Sequence, residues 1–88
     1  ALDAHESVHM QQQGSDPEGW WDKYIEDVNF RLSQELEAYR VQYKKFRHMN
    51  KSKKARASFV DAIAKDLSSH IYGNSIDYYT ARQKIKYG

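Results

Sequence analysis

The chain contains no cysteine. That excludes a disulfide framework, a thiolate metal site and a cysteine nucleophile, and leaves the redox compartment open. Proline occurs once, and after Gly19 there is neither glycine nor proline until Gly73. Nothing obligatory therefore breaks a helix across that interval. No apolar run approaches the roughly 18 residues a membrane span needs. Aliphatic residues are scarce as well. Leu, Ile, Val and Phe number 16 of 88 residues, below the roughly 20% that usually supports a packed core. The net charge of +2 lies far from the highly charged composition that accompanies disorder. Aromatics, at 14% of the chain, fill part of the deficit. A chain this short buries only about 60–65% of its surface on folding. A large enzyme fold with a deep pocket is thereby excluded, and a small, aromatic-rich helical unit that completes its core on a partner is permitted.

The small net charge is a cancellation. Residues 1–37 carry nine acids and two bases, a net of −7, and residues 38–88 carry twelve bases and three acids, a net of +9. Between Arg40 and Arg56 there are eight basic residues and no acid. Asymmetry of this kind is a signature of partners.

Asp16-Pro17-Glu18 reads as a helix start, with Asp16 as N-cap, Pro17 in the first helical position and acids at the positive end of the dipole. A capping box of Ser15 with Glu18 would shift that start by one residue. Apolar residues then fall at Trp21, Ile25, Val28, Leu32, Leu36, Tyr39, Tyr43 and Phe46, one stripe at helical spacing. The spacing predicts a single long helix from Asp16 to about Met49. The polar stretch 50–54 interrupts the stripe and predicts a turn, followed by a second helix from Ser52 or Ala55 to Tyr72. The rival is one continuous, bent helix. Gly73-Asn74 reads as a helix stop, and Ser75 as the cap of a short third helix over Ile76–Lys86 with Tyr78, Ala81 and Ile85 on one face. Residues 1–15 are polar and are expected to form an extended N-terminal arm beside a helical domain of residues 16–88. The fold class is all-α.

Four groups of residues invite a chemical reading. His5-Glu6-Ser7-Val8-His9 matches H-E-x-x-H, which on a helix aligns two imidazoles for zinc and lets the glutamate polarise a water. Over these five residues the chain resembles zinc metalloproteases. Such an enzyme also needs a third protein ligand and a dry cleft. Neither is legible in so short a chain, so the two histidines are read as part of a polar tail. The basic stretch Arg40, Lys44, Lys45, Arg47, Lys51, Lys53, Lys54 and Arg56 could grip phosphates through counterion release. Its interleaved Tyr39, Tyr43 and Phe46 lie on the apolar stripe and are expected to face a core rather than stack on bases. The pair Trp20-Trp21 sits at a helix start. Adjacent helical positions diverge by about 100°, so Trp21 is expected in the core and Trp20 half-exposed at an interface. Tyr24, Phe30 and Val41 lie off the stripe and, with Tyr79 and Tyr87, are candidates for protein contact. His48 and His70 have no second ligand at metal spacing and are read as surface residues.

These features predict no catalytic residue, no metal, no cofactor and no small-molecule substrate. The expected function is that of a non-enzymatic helical accessory or structural subunit, assembling with protein partners or with copies of itself. The alternative is a helical nucleic-acid-binding protein that uses residues 40–56. The location is expected to be intracellular, and organellar (mitochondrial) if the absent initiator Met reflects removal of a presequence.

Overall fold

The computed structural model describes residues 4–49, 52–69 and 76–87. Among these residues the chain is all-helical, with no strand. Five helices follow in order: α1 (Ala4–Gln13), α2 (Pro17–Glu26), α3 (Val28–Met49), α4 (Lys53–Leu67) and α5 (Tyr78–Tyr87). Lys51, His70 and the helix stop expected at 72–75 lie outside the described residues. No described helix is long and apolar enough to cross a membrane.

The 22-residue α3 is the spine. On it α1 and α2 pack as one lobe and α4 and α5 as another, with no contact between the lobes among the described residues. The second lobe holds the apolar core. Leu32 and Tyr43 of α3 meet Val60, Ala64 and Leu67 of α4 and Ala81 and Ile85 of α5, with Ile76 beside them. Val60, Ala64, Leu67 and Ala81 are all but completely buried. Phe46 stacks on Phe59 at 4.5 Å between ring centroids, adding aromatic contact beyond simple area burial.

The helix boundaries follow side-chain capping. Asp16 accepts a hydrogen bond from the Gly19 amide at 3.0 Å, and Pro17 occupies the first turn. Gly19 leaves room for that cap, since a Cβ there would lie 2.2 Å from an Asp16 carboxylate oxygen. Ser52 caps α4 by accepting from the Ala55 amide at 3.2 Å. Asp77 caps α5 by accepting from the Thr80 amide at 2.8 Å. Gly14 adopts a left-handed φ of +56°, and so turns the chain from α1 into α2 within a few residues.

Two expectations need correction. The single long helix is broken at Asp27, whose backbone is extended (φ −111°, ψ 104°). Its carboxylate accepts from the amides of Asn29 at 3.0 Å and Phe30 at 3.1 Å, while Arg31 covers the carbonyls of Tyr24 and Ile25 at 3.0 and 3.3 Å. Short polar side chains of this type compete with the helix for its own backbone groups, so the break needs neither glycine nor proline. It also resets the helical phase. Trp20 is buried at 6% exposure and Trp21 is exposed at 48%, the reverse of what an unbroken stripe requires. The second correction concerns the N-terminus. Residues 4–13 form a helix rather than an extended arm. Val8 is its one buried residue, and most of its attachment is polar.

Candidate metal centre

The face of α1 that meets α3 carries His5, Val8, His9 and Gln12, spaced at helical i, i+3 and i+4 intervals. Opposite them lies Glu35, in the middle of α3 and only 6% exposed. Three ligand-type side chains converge there. His5 Nε2 is 3.2 Å from Glu35 Oε2, His9 Nε2 is 2.7 Å from Glu35 Oε1, and the two imidazole Nε2 atoms are 3.0 Å apart. A tetrahedral zinc ion with bonds near 2.0–2.1 Å holds its ligand atoms about 3.3 Å from one another. The observed contacts, which use both carboxylate oxygens, are slightly shorter than that spacing, and one ligand atom of each residue lies within 4.8 Å of the others.

The surrounding hydrogen bonds decide which lone pairs point inward. Gln12 donates its amide N–H to the Gln34 carbonyl at 2.9 Å. This turns its Oε1 toward His9 Nδ1 at 2.9 Å. Gln42 Oε1 meets His5 Nδ1 at 3.0 Å. Both Nδ1 atoms thus face amide oxygens, and both Nε2 atoms face the Glu35 carboxylate. The close approach of two ring nitrogens to an anionic carboxylate is satisfied by a shared cation, either a proton on a ring nitrogen or a metal ion. Metal-ligating histidines are held in the same way, with the second ring nitrogen donating to an oxygen.

The electrostatics agree. Burial alone would raise the Glu35 carboxyl, but the hydrogen bond from His5, the charges of His9 and His5 and the Tyr24 hydroxyl together hold it below its ordinary value. Tyr24 donates to Glu35 Oε1 at 3.2 Å. Its hydroxyl is pushed up to about 12 by burial, by the Glu35 charge and by that hydrogen bond. Burial and then the same charge raise Tyr39, whose ring packs against His5 at 4.3 Å. Trp20 closes the other side, 5.6 Å from the His9 ring, and donates its indole N–H to Gln34 at 2.8 Å.

The cluster opens on a cleft beside this aromatic wall. A cleft of ≈ 370 Å³ is lined by His9, Glu35, Glu6, Trp20, Trp21 and Tyr24. Glu6, the glutamate of the H-E-x-x-H segment, therefore faces the same space as two of the three ligand-type groups. A third ligand-type group, not legible in the sequence, stands beside the two histidines in Glu35, 26 positions beyond His9. No local spacing rule connects residues so far apart.

The residues singled out earlier for protein contact are scattered. Trp20 is buried in the wall of the cluster, Tyr24 and Phe30 are half-buried beside it, and Trp21 lies at the cleft mouth. Val41, Tyr79 and Tyr87 are exposed elsewhere. Of the basic stretch, Lys44, Lys45, Arg47, Lys53 and Lys54 are exposed, and Arg40 and Arg56 are half-buried. Arg47, Lys53 and Arg56 line a separate cleft on the second lobe. Compared with known proteins, the chain matches no family model, no curated relative and no solved structure, so its candidate site stands on its own geometry.

Proposed function

We propose that the chain carries the zinc site of a metal-dependent peptide hydrolase, with His5, His9 and Glu35 as ligands and Glu6 as general base. The observation that carries this reading is the position of Glu35, whose carboxylate meets both imidazoles of the H-E-x-x-H helix at 2.7 and 3.2 Å. Three protein ligands leave the fourth position of a catalytic zinc for water, and the cleft gives that position access to a substrate. Zinc at this site would polarise the water and the scissile carbonyl. Glu6 takes a proton from the water as its oxygen adds to the carbonyl carbon. The same carboxyl then returns the proton to the amide nitrogen as the C–N bond breaks, releasing an acid and an amine. Trp20, Trp21 and Tyr24 offer an apolar wall for a large side chain next to the scissile bond. This reading departs from the expected non-enzymatic role because Glu35 of α3 offers a third ligand-type group, one of the two features whose lack set the motif aside.

The test is cleavage of a quenched-fluorescence peptide library by the zinc-loaded chain, with Glu6→Gln as the diagnostic variant. Glu6→Gln should retain one zinc per chain and lose roughly 10²–10⁴-fold in kcat/KM, the usual contribution of a general base. Cleavage that survives Glu6→Gln, or a wild-type chain that binds no zinc, overturns the proposal.

The assembly reading keeps one specific support. Met10 and Trp21 line the cleft mouth, and Ile25, one turn beyond Trp21, is 68% exposed. An apolar rim of this kind fits a protein that covers the cleft, whether as substrate or as a lasting partner. Sedimentation of the zinc-loaded chain separates the two, since a lasting self-association appears without added peptide.

A further inference from the structure

The second lobe holds a cleft with a different character. It is ≈ 400 Å³ in volume and lies where α3, α4 and α5 meet, within the range of small-ligand sites. Five cations line it: Arg47 from the end of α3, Lys53 and Arg56 from the start of α4, and Arg82 and Lys86 one turn apart on α5. No carboxylate side chain is among its lining residues. Asp61, whose carboxyl feels the Arg82 charge, lines a neighbouring groove that Arg82 also borders.

Cations brought together from three helices raise the local positive potential and favour an anion there. The first turn of α4 sharpens the point. It contains no acid, and its cations sit at the positive end of the helix dipole, against the helix's own preference. Two tyrosines complete the cleft. Tyr43 is buried at its base with the Arg47 guanidinium 5.8 Å from its ring centroid. Tyr87 stands at its edge, 74% exposed, with the Lys86 ammonium 5.4 Å from its ring. An exposed aromatic face beside a cationic cleft is the arrangement that stacks a nucleobase while neighbouring cations hold its phosphates.

From this cleft we infer a binding site for nucleotide phosphates, in which Arg47, Lys53, Arg56, Arg82 and Lys86 hold the phosphoryl groups and Tyr87 stacks on the base. Five cations exceed the need of a single phosphate. The ligand chemistry is therefore a run of phosphates, from either a free nucleoside triphosphate or successive residues of a single nucleic-acid strand. Glu35 and Arg47 lie 12 positions apart on α3, or about 18 Å along the helix, so this site is distinct from the metal centre. It also divides the basic stretch 40–56, since Lys44, Lys45 and Lys54 do not line the cleft whereas Arg82 and Lys86, outside that stretch, do.

The experiment compares two double variants of equal charge change in the full chain. One is Arg47→Gln with Arg82→Gln inside the cleft, and the other is Lys45→Gln with Lys54→Gln outside it. Each is titrated, in the presence of a chelator so that zinc cannot bridge the ligand, with a nucleoside triphosphate and with a short fluorescent single-stranded oligonucleotide. Circular dichroism melts verify the fold, and Lys86→Gln alone serves if the cleft pair fails to fold. The cleft variant should bind at least 10-fold more weakly, with the outer pair within 3-fold of wild type. In the strand arm the cleft pair should also flatten the slope of log affinity against log salt by about 1.4. Binding of the triphosphate identifies a free nucleotide as ligand, and binding of the oligonucleotide alone identifies a strand. Equal losses in the two double variants, or no binding of either probe by wild type, overturn the inference.

Discussion

Zinc should fasten α1 to α3, and the effect can be worked through. Helix α1 buries one residue, Val8, and is otherwise held by His5, His9 and Gln12 against Glu35, Gln42 and Gln34. A metal bound by two residues of α1 and one of α3 adds a link that this polar seam lacks. At a free zinc concentration 100 times its dissociation constant, a ligand specific for the native state stabilises it by about 2.7 kcal/mol. In a domain of this size each kcal/mol moves Tm by about 4–8 °C, so Tm should rise by about 10–20 °C. Glu35→Gln keeps the shape of the side chain and removes the anionic ligand. If it weakens zinc binding 100-fold, the same zinc concentration equals the new dissociation constant. The gain is then about 0.4 kcal/mol, or roughly 2–3 °C. Circular dichroism at 222 nm reads the global transition, and hydrogen exchange of the α1 amides reads the local one. Equal zinc-induced shifts in wild type and Glu35→Gln, or no gain in α1 protection, would refute the reasoning.

Four further outcomes follow from the same structure. Gln42→Ala should weaken zinc by roughly 10–100-fold while leaving the three ligands in place, as loss of an outer hydrogen bond to a ligating histidine usually does; isothermal titration measures it. Leu67→Ala should cost about 2–5 kcal/mol in urea unfolding, because Leu67 is fully buried in the α3–α4–α5 core. Asp27→Ala should cost about 0.5–2 kcal/mol in the same assay, because it removes the cap of α3. The Asp61 carboxyl is held below its ordinary value by the Tyr78 hydroxyl and then by Lys65. A carboxyl lowered in the folded state contributes stability above its unfolded value of about 3.9, and loses it as pH falls through the lower folded value. Asp61→Asn should therefore lower Tm slightly at neutral pH, leave it unchanged in acid, and so flatten the acid limb of a Tm-against-pH curve.

What the sequence disclosed, and what it withheld, divides along physical lines. The start at Pro17 was readable because Asp16 caps through a local hydrogen bond, and local chemistry is written in local sequence; the start of α4 at Lys53 falls within the Ser52–Ala55 range expected. The stripe from Val28 to Phe46 faces inward along much of its length, with Leu32 and Tyr43 buried. The break at Asp27 was hidden because aspartate is tolerated within helices, and only Arg31 reaching back to α2 commits it to a cap. That one residue explains why the roles of Trp20 and Trp21 are exchanged. Helix α1 escaped notice because hydrophobic periodicity cannot register an amphipathic face built from His5, His9 and Gln12. Both clefts are tertiary in origin. The first joins the H-E-x-x-H segment to a glutamate on another helix, and the second joins part of a basic run to Arg82 and Lys86.

The central claim is that His5, His9 and Glu35 bind one metal ion. X-ray absorption at the zinc edge, on the chain loaded with one equivalent of zinc, tests it most directly. The account predicts saturation at one zinc per chain. It also predicts a first shell of two imidazole nitrogens with carboxylate and water oxygens at about 2.0–2.2 Å, collapsing in His9→Ala and in Glu35→Ala. A hexa-aquo-like spectrum, or a shell unchanged by both substitutions, would contradict it.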